Sequence, residues 1–245
     1  MTDDLLVSEL PARSRFNRTA NRLIERALHV LGYYTLLKRP GTRRARAAGF
    51  ELVIRETVYD PRFHRAPLYF AGFIDALDLS GKTVADLGTG SGIQALAACR
   101  AGASAVVAVD VNPKAAAAAA ANARANGFAD RVRPVASNLF SAIAPRPQFD
   151  VILTNPPFCD GAAWDVADRA WRAGRNYEGI ASLFEQARER LRPEGVVYLI
   201  LSSQSDLEFV GALVRRAGFG ARIAAQRRVF LETLIIYELR PTTAR

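Results

Sequence analysis

Thr83-Val84-Ala85-Asp86-Leu87-Gly88-Thr89-Gly90-Ser91-Gly92-Ile93 is the stretch that decides the fold. A short apolar run ends beside an acid, glycine recurs at every second position, and a helix-compatible stretch begins at Ile93. Strand, tight turn and helix N-terminus follow one another without a spare residue. Glycine takes left-handed backbone conformations at no steric cost, and the free N–H groups of a first helical turn favour a polar ligand.

Outward from this loop, β-rich runs at 83–87, 105–110, 131–137, 149–154 and 196–202 alternate with helical stretches at 93–101, 113–125 and 177–191. Such alternation predicts a parallel sheet covered by helices on both faces. The alanine run at 115–121 reads as helix interior, with Pro113 suited to the first turn. After a helix at 206–217, strands at 221–228 and 233–239 are joined by a short connection, which requires an antiparallel hairpin. Upstream, a strand at 51–55 and a helix at 68–79 precede the glycine loop.

The N-terminal part differs. Leu23, Ala27, Val30, Leu31, Tyr34 and Leu37 recur at helical spacing, with Arg18, Arg22, Arg26 and Lys38 filling much of the rest. The expectation is a basic amphipathic extension over residues 1–49, its apolar stripe packed on a main domain of 50–245 and its Pro40-Gly41 region a linker. Between Pro11 and Ala66 there are 13 Lys/Arg against 4 Asp/Glu, which equals the whole chain's formal net charge of +9. Such a segment suits RNA, an acidic partner or an anionic membrane surface; a merely solubilising face is the plain alternative. Cys99 and Cys159 are isolated, which fits a reducing cytoplasm and offers no metal site, and no apolar stretch approaches the ~20 residues that span a bilayer.

Two ligand ends follow from the pattern. At the first, Gly88, Gly90 and Gly92 stand in Gly-x-Gly-x-Gly spacing, with Thr89 in the turn. Asp86 would repel a pyrophosphate but accept a hydrogen bond from an ammonium, which favours S-adenosylmethionine over a dinucleotide. Asp110, ending the next strand before Val111, falls where an acid binds ribose hydroxyls, with helix capping as its structural alternative. Asn138 and Leu139, after the third strand, would lie beside the adenine; a turn role for Asn138 stays open. His29 and His64 read as structural.

At the second end, Thr154-Asn155-Pro156-Pro157-Phe158 stops an apolar strand. Two prolines stiffen the backbone, and an amide, a fixed carbonyl and an aromatic ring are presented at the carboxyl edge where open α/β sheets bind ligands.

Asn-Pro-Pro-Phe together with the 86–92 loop resembles the class I methyltransferases that modify amino groups conjugated to a π system. The resemblance implies a Rossmann-like fold with a seven-stranded, mostly parallel sheet ending in an antiparallel hairpin. It also implies that Asn155 and Pro156 accept hydrogen bonds from the substrate NH₂ while Phe158 stacks on its plane, with Asn155 beside the cofactor and no metal required. From about Val58 to Arg240 the chain is similar to the release-factor glutamine-N5 methyltransferase family, through Val58-Tyr59-Asp60-Pro61, the glycine loop, Asn155-Pro156-Pro157-Phe158, Trp171 with Ala173-Gly174, and Phe230 to Leu234. That family usually has Tyr where Phe158 stands, and Arg175 to Gly179 departs from its glycine pattern. The expected acceptor is therefore a protein glutamine amide, with adenine-N6 or guanine-N2 of RNA (less so DNA) as the alternative. A small metabolite acceptor, or a non-catalytic nucleic-acid-binding module, stands behind these.

Overall fold

The computed structural model describes residues 30–157, 159, 161–229 and 232–242. Its main sheet has seven strands: β3 (Thr83–Leu87), β4 (Ala105–Asp110), β5 (Val132–Ala136), β6 (Phe149–Thr154), β7 (Leu191–Ser202), β8 (Phe219–Val229) and β9 (Glu232–Pro241). Their order is β5-β4-β3-β6-β7-β9-β8; β3 to β7 are mutually parallel, and β9 runs antiparallel to both β7 and β8. This is the Rossmann-like class I methyltransferase fold that the sequence pattern implies. The chain winds outward from β3 to β5, returns to β6 and winds the other way. The resulting switch point lies between β3 and β6, where open α/β sheets leave a crevice.

The helices are α1 (Arg65–Asp75), α2 (Ile93–Arg100), α3 (Pro113–Ala125), α4 (Leu183–Arg190) and α5 (Leu207–Arg216). Strand alternation sends Val84, Val106 and Leu153 to one face, beneath Phe70, Ile74 and Leu96, while Ala85, Ile152, Leu199 and Tyr237 meet Phe140, Phe184 and Val214 on the other. The alanine run is helix, as composition suggested, and Ala115, Ala118, Ala119 and Ala123 are buried in it. Among the described residues no helix is long and apolar enough to cross a membrane.

The elements upstream of β3 depart furthest from the sequence reading. Arg43–Ala47 is a strand, β1, rather than linker, and pairs antiparallel with β2 (Phe50–Ile54) across residue 49. Its hairpin docks on α3 because two asparagines one helical turn apart replace a missing strand. Val53 N–H donates to Asn122 Oδ1 at 2.6 Å, Asn122 Nδ2 donates to the Val53 carbonyl, and Asn126 brackets Glu51 in the same way. Of the expected apolar stripe, Leu23 and Ala27 lie outside the described residues, as does His29. Leu37 is buried, but Val30, Leu31 and Tyr34 are exposed, and the residue that packs inward is Tyr33. The backbone winds as a π-helix over Tyr33–Leu37, which rotates the stripe away from a regular α-helical face.

Two boundaries also shift. The stretch 177–191 is helical only over Leu183–Arg190, preceded by a 3₁₀ turn at Arg175–Tyr177. Asn176 and Tyr177 there have φ of 51° and 57°, outside the right-handed helical region. β7 starts at Leu191, five residues earlier than the apolar run suggests, because Leu191 pairs with Phe149 ahead of a register shift.

Candidate active site

The glycine loop is built from beneath. Gly88 and Thr89 both donate N–H bonds to the Val109 carbonyl at 2.9 Å, and Gly90 N–H donates to Asp110 Oδ2 at 2.9 Å. Gly92 has φ of 85°, and a Cβ there would stand 3.0 Å from Cα and Cβ of Ala119. No side chain fits between α2 and α3 at that point. Asn122, fully buried in α3, donates to the Ser91 carbonyl at 2.8 Å, so the N-terminal hairpin, α3 and the loop share one residue.

The carboxylates of this end serve the backbone first. Asp86 Oδ2 accepts from Thr89 Oγ1 at 2.6 Å and from Ala95 N–H at 3.1 Å. Burial pushes its pKa up to about 7, against the pull of those two donors and with the nearby Asp110 adding to the rise. Asp86 does not line the cleft; it lies under the loop and holds its shape. Asp110 does line it, with Oδ1 accepting from Asn112 N–H at 2.9 Å, and burial raises its pKa against the two backbone donors. Asn112 is the residue that caps α3, through Lys114 N–H.

A cleft of about 210 Å³ runs along the carboxyl edge of the sheet and gathers most of the expected site. Gly88, Thr89, Gly90, Asp110, Val111, Asn138, Leu139, Asn155 and Pro156 all line it; Gly92 and Asp86 support it from outside, and Phe158 lies outside the described residues. The two ends meet closely. A Cβ on Gly88 would lie 3.9 Å from the Asn155 carbonyl oxygen. The Asn155 side chain makes no hydrogen bond within the described protein, and the buried Thr154 Oγ1 beside it has no partner either. Leu139 holds a left-handed φ of 50°, which turns the chain between β5 and the buried Phe140.

Several lining residues carried no strong sequence signal. Tyr59, His64 and Trp171 form a ring cluster with centroids 5.1 to 6.4 Å apart along the cleft. Arg65 and Arg169 add positive charge, Arg172 is paired with the buried Asp168, and Glu232 is the one carboxylate besides Asp110 among the described lining residues. The loop after Asn155-Pro156-Pro157 covers the acceptor end and is organised by two acids. Asp168, fully buried, accepts from Trp164 N–H at 3.0 Å. Asp165 Oδ1 accepts from the N–H groups of Ala167 and Asp168, and its Oδ2 accepts from Tyr33 Oη at 2.7 Å. Among the described residues no three metal-binding side chains stand together.

A Rossmann-like sheet with a Gly-x-Gly-x-Gly loop, a carboxylate at the end of the second parallel strand and an amide at the end of the fourth is the arrangement of an S-adenosylmethionine-dependent methyltransferase. The chain belongs to the methyltransferase small domain family, whose model matches residues 71–228. Among solved structures it is similar to the T. thermophilus 16S rRNA N2 G1207 methyltransferase in complex with AdoMet and guanosine. The identity is 23%, with 81% of this chain and 50% of that one covered, at a TM-score of 0.57. It is also similar to the E. cuniculi Mtq2-Trm112 complex that methylates the eRF1 translation termination factor (22% identity, 76% of this chain and 99% of that one, TM-score 0.54). A third is the ribosomal protein L11 methylase of Lactobacillus delbrueckii subsp. bulgaricus (24% identity, 70% and 77% covered, TM-score 0.51). At these identities the likeness is one of fold, and this chain spans half the length of the rRNA enzyme.

The residues of the cleft fit the cofactor. Gly90 has open space where a Cβ would stand, and Asp110 offers carboxylate oxygens to a diol.

Proposed function

We propose that this methyltransferase acts on an amino nitrogen conjugated to a π system, held by Asn155 and Pro156 with Phe158 stacking against it. The observation that carries the reading is the unpartnered Asn155 amide at the end of β6, beside the glycine loop. Gly88, Thr89 and Gly90 would cradle the cofactor's amino-acid part, Asp110 and Val111 its ribose, and Asn138 and Leu139 its adenine. When bound, S-adenosylmethionine would supply the methyl group from its sulfonium and leave as a neutral thioether, and the acceptor nitrogen would release one proton to water.

An amide or exocyclic amino group is a weak nucleophile because its lone pair is delocalised. Asn155 Oδ1 and the Pro156 carbonyl, each accepting one N–H, orient that nitrogen and favour a more tetrahedral geometry. Pro157 stiffens the carbonyl's position, since its ring fixes φ. Trp171 and Ala173 of the covering loop line the same cleft.

The resemblance to the release-factor family supports a protein glutamine amide as the acceptor. A second reading, an amino group of an RNA base, is supported by a specific observation: the exposed Arg65 and Arg169 line the cleft, and the segment from Arg39 to Arg62 adds more positive charge. Phosphates carried in with a base would neutralise that charge. The separating experiment is transfer of labelled methyl into a cell extract, followed by protease or nuclease digestion. Label released by protease alone supports the amide; label released by nuclease alone supports RNA. Label that remains small and dialysable overturns both in favour of a metabolite.

A further inference from the structure

Glu232 opens β9, and the sheet order places it on the acceptor side of Asn155, away from the cofactor. Crossing the carboxyl edge in the order β4, β3, β6, β7, β9, one meets Asp110, the glycine loop, Asn155, Ser202 and then Glu232. Thr154 pairs with Leu199, so Ser202 stands three residues further along the neighbouring strand, about 4.8 Å to the side. Ser202 Oγ donates a short hydrogen bond to Glu232 Oε2. Ser202, Glu232, Asn155 and Pro156 all line the same cleft.

What distinguishes Glu232 is its company. The mouth is lined by Arg65, Arg169 and Arg172, yet none of them pairs with Glu232, and among the described residues Ser202 is its sole hydrogen-bond partner. The acids that serve structure here are spent on protein donors: Asp60 on Arg62, Asp165 on Tyr33 and two backbone N–H groups, Glu238 on Arg222 and Arg240. Among the described residues no protein hydrogen bond reaches Glu232 Oε1, and the charged neighbour of this carboxylate is the cleft-lining His64, whose pKa it pulls upward against burial.

We infer that Glu232 is a specificity-determining residue that accepts a hydrogen bond from a ring N–H adjacent to the amino group being methylated. The inference rests on the proposed roles of Asn155 and Pro156, because those two acceptors consume both hydrogens of the NH₂. A third acceptor beside them has a use only if the substrate carries a third donor. Guanine does: its N1–H flanks the 2-amino group. Adenine and cytosine present a ring lone pair at the corresponding position, and a glutamine amide presents its carbonyl oxygen. A carboxylate repels each of these. Glu232 therefore selects the 2-amino-lactam edge of guanine, and Arg65 and Arg169, which line the same cleft, meet the phosphates of the RNA strand that carries it. A charge-assisted N–H···O⁻ bond of this kind changes discrimination by tenfold or more.

The test uses the full chain, labelled S-adenosylmethionine and short RNAs identical except at one position, which holds guanosine, 2-aminopurine riboside or adenosine; a glutamine-containing peptide is run beside them. 2-Aminopurine keeps the 2-amino group but has a lone pair where guanine has N1–H, and adds no bulk. The wild-type chain is expected to prefer guanosine over 2-aminopurine by at least about tenfold in kcat/KM. Glu232→Gln should lower guanosine turnover by about that factor without lowering 2-aminopurine, because the new amide can donate to the lone pair. Ser202→Ala, which removes the strut and keeps the carboxylate, should preserve the preference. Equal loss on both RNAs in Glu232→Gln overturns the inference, since a strut alone behaves that way. Methylation of adenosine or of the peptide in place of guanosine also overturns it, while leaving the amino-nitrogen reading standing. A wild-type chain that methylates none of the four overturns both.

Discussion

The two ends of the cleft are held by different means. At the cofactor end the side chains are committed to the backbone: Asp86 to Thr89 and Ala95, Asp110 to Gly90 and Asn112, Asn122 to Ser91 and Val53. At the acceptor end Asn155 and Thr154 keep polar atoms without protein partners, and the covering loop hangs on long-range ties to Tyr33 and Lys38. One end is prepared for a ligand of fixed shape. The other leaves hydrogen-bonding capacity for whatever is to be methylated. The difference teaches that binding the cofactor and choosing the acceptor are separable, so substitutions at one end should leave the other intact.

The largest break of that separation would come from Asn155→Ala. It removes an oriented acceptor and touches no structural bond, so methyl transfer should fall at least about tenfold and up to about a hundredfold. Cofactor affinity, measured by calorimetry, should stay within about twofold. A parallel loss of affinity would mean that Asn155 belongs to the cofactor end. Gly92→Ala tests the opposite end: with φ of 85° and Ala119 3.0 Å from the new methyl, it should cost about 1–3 kcal/mol of stability, read as a lower thermal midpoint.

Asp86 gives a pH test of intermediate size. Its folded-state pKa is raised to about 7, so between the ordinary carboxylate range and pH 7 the folded chain holds a proton that the unfolded chain has released. Stability from this group is therefore present at low pH and lost as pH rises through that window. Asp86→Asn keeps an acceptor for Thr89 and Ala95 but cannot ionise. From pH 5 to 8 the wild-type apoprotein should lose stability relative to that variant, by several-fold in the unfolding constant at least. Parallel stability–pH curves would show that burial does not hold Asp86 neutral.

Legibility in the sequence follows the same divide. β3, β4, β6 and α3 match the sequence reading residue for residue, because short apolar runs, glycine turns and Asn112-Pro113 are local signals. The cofactor end was readable for the same reason, and the Asn155 motif because Pro-Pro announces itself. Arg65 was not singled out, and Glu232 only as part of the stretch 230–234, since the strand order is what brings Glu232 to the cleft. Nor did Asn122 stand out: at the end of an alanine run it looks like a helix-surface amide, yet it is fully buried and joins the β2 backbone to the glycine loop. The packing of Tyr33 instead of Tyr34 depends on the π-helical register, which apolar periodicity at 3.6 residues cannot foresee.

The smallest expected effect sharpens the comparison most. Tyr33 is 3% exposed, its ring meets Trp164 edge-on with centroids 5.0 Å apart, and its hydroxyl donates to Asp165, the residue that shapes the loop over the acceptor. Gly32 beside it leaves so little room that a Cβ would stand 3.0 Å from Trp171 Cη2. Tyr33→Phe removes one hydroxyl and keeps the ring packing, so global stability should fall by no more than about 1 kcal/mol. The loop itself should loosen, because Asp165 then keeps only the exposed Lys38, 3.6 Å away, on that oxygen. A rise of about two- to fivefold in the acceptor's KM, with kcat and cofactor affinity unchanged, is the expected signature of a contact worth that much. Loss of cofactor affinity in Tyr33→Phe would mean that the covering loop serves both ends and that the two are coupled after all.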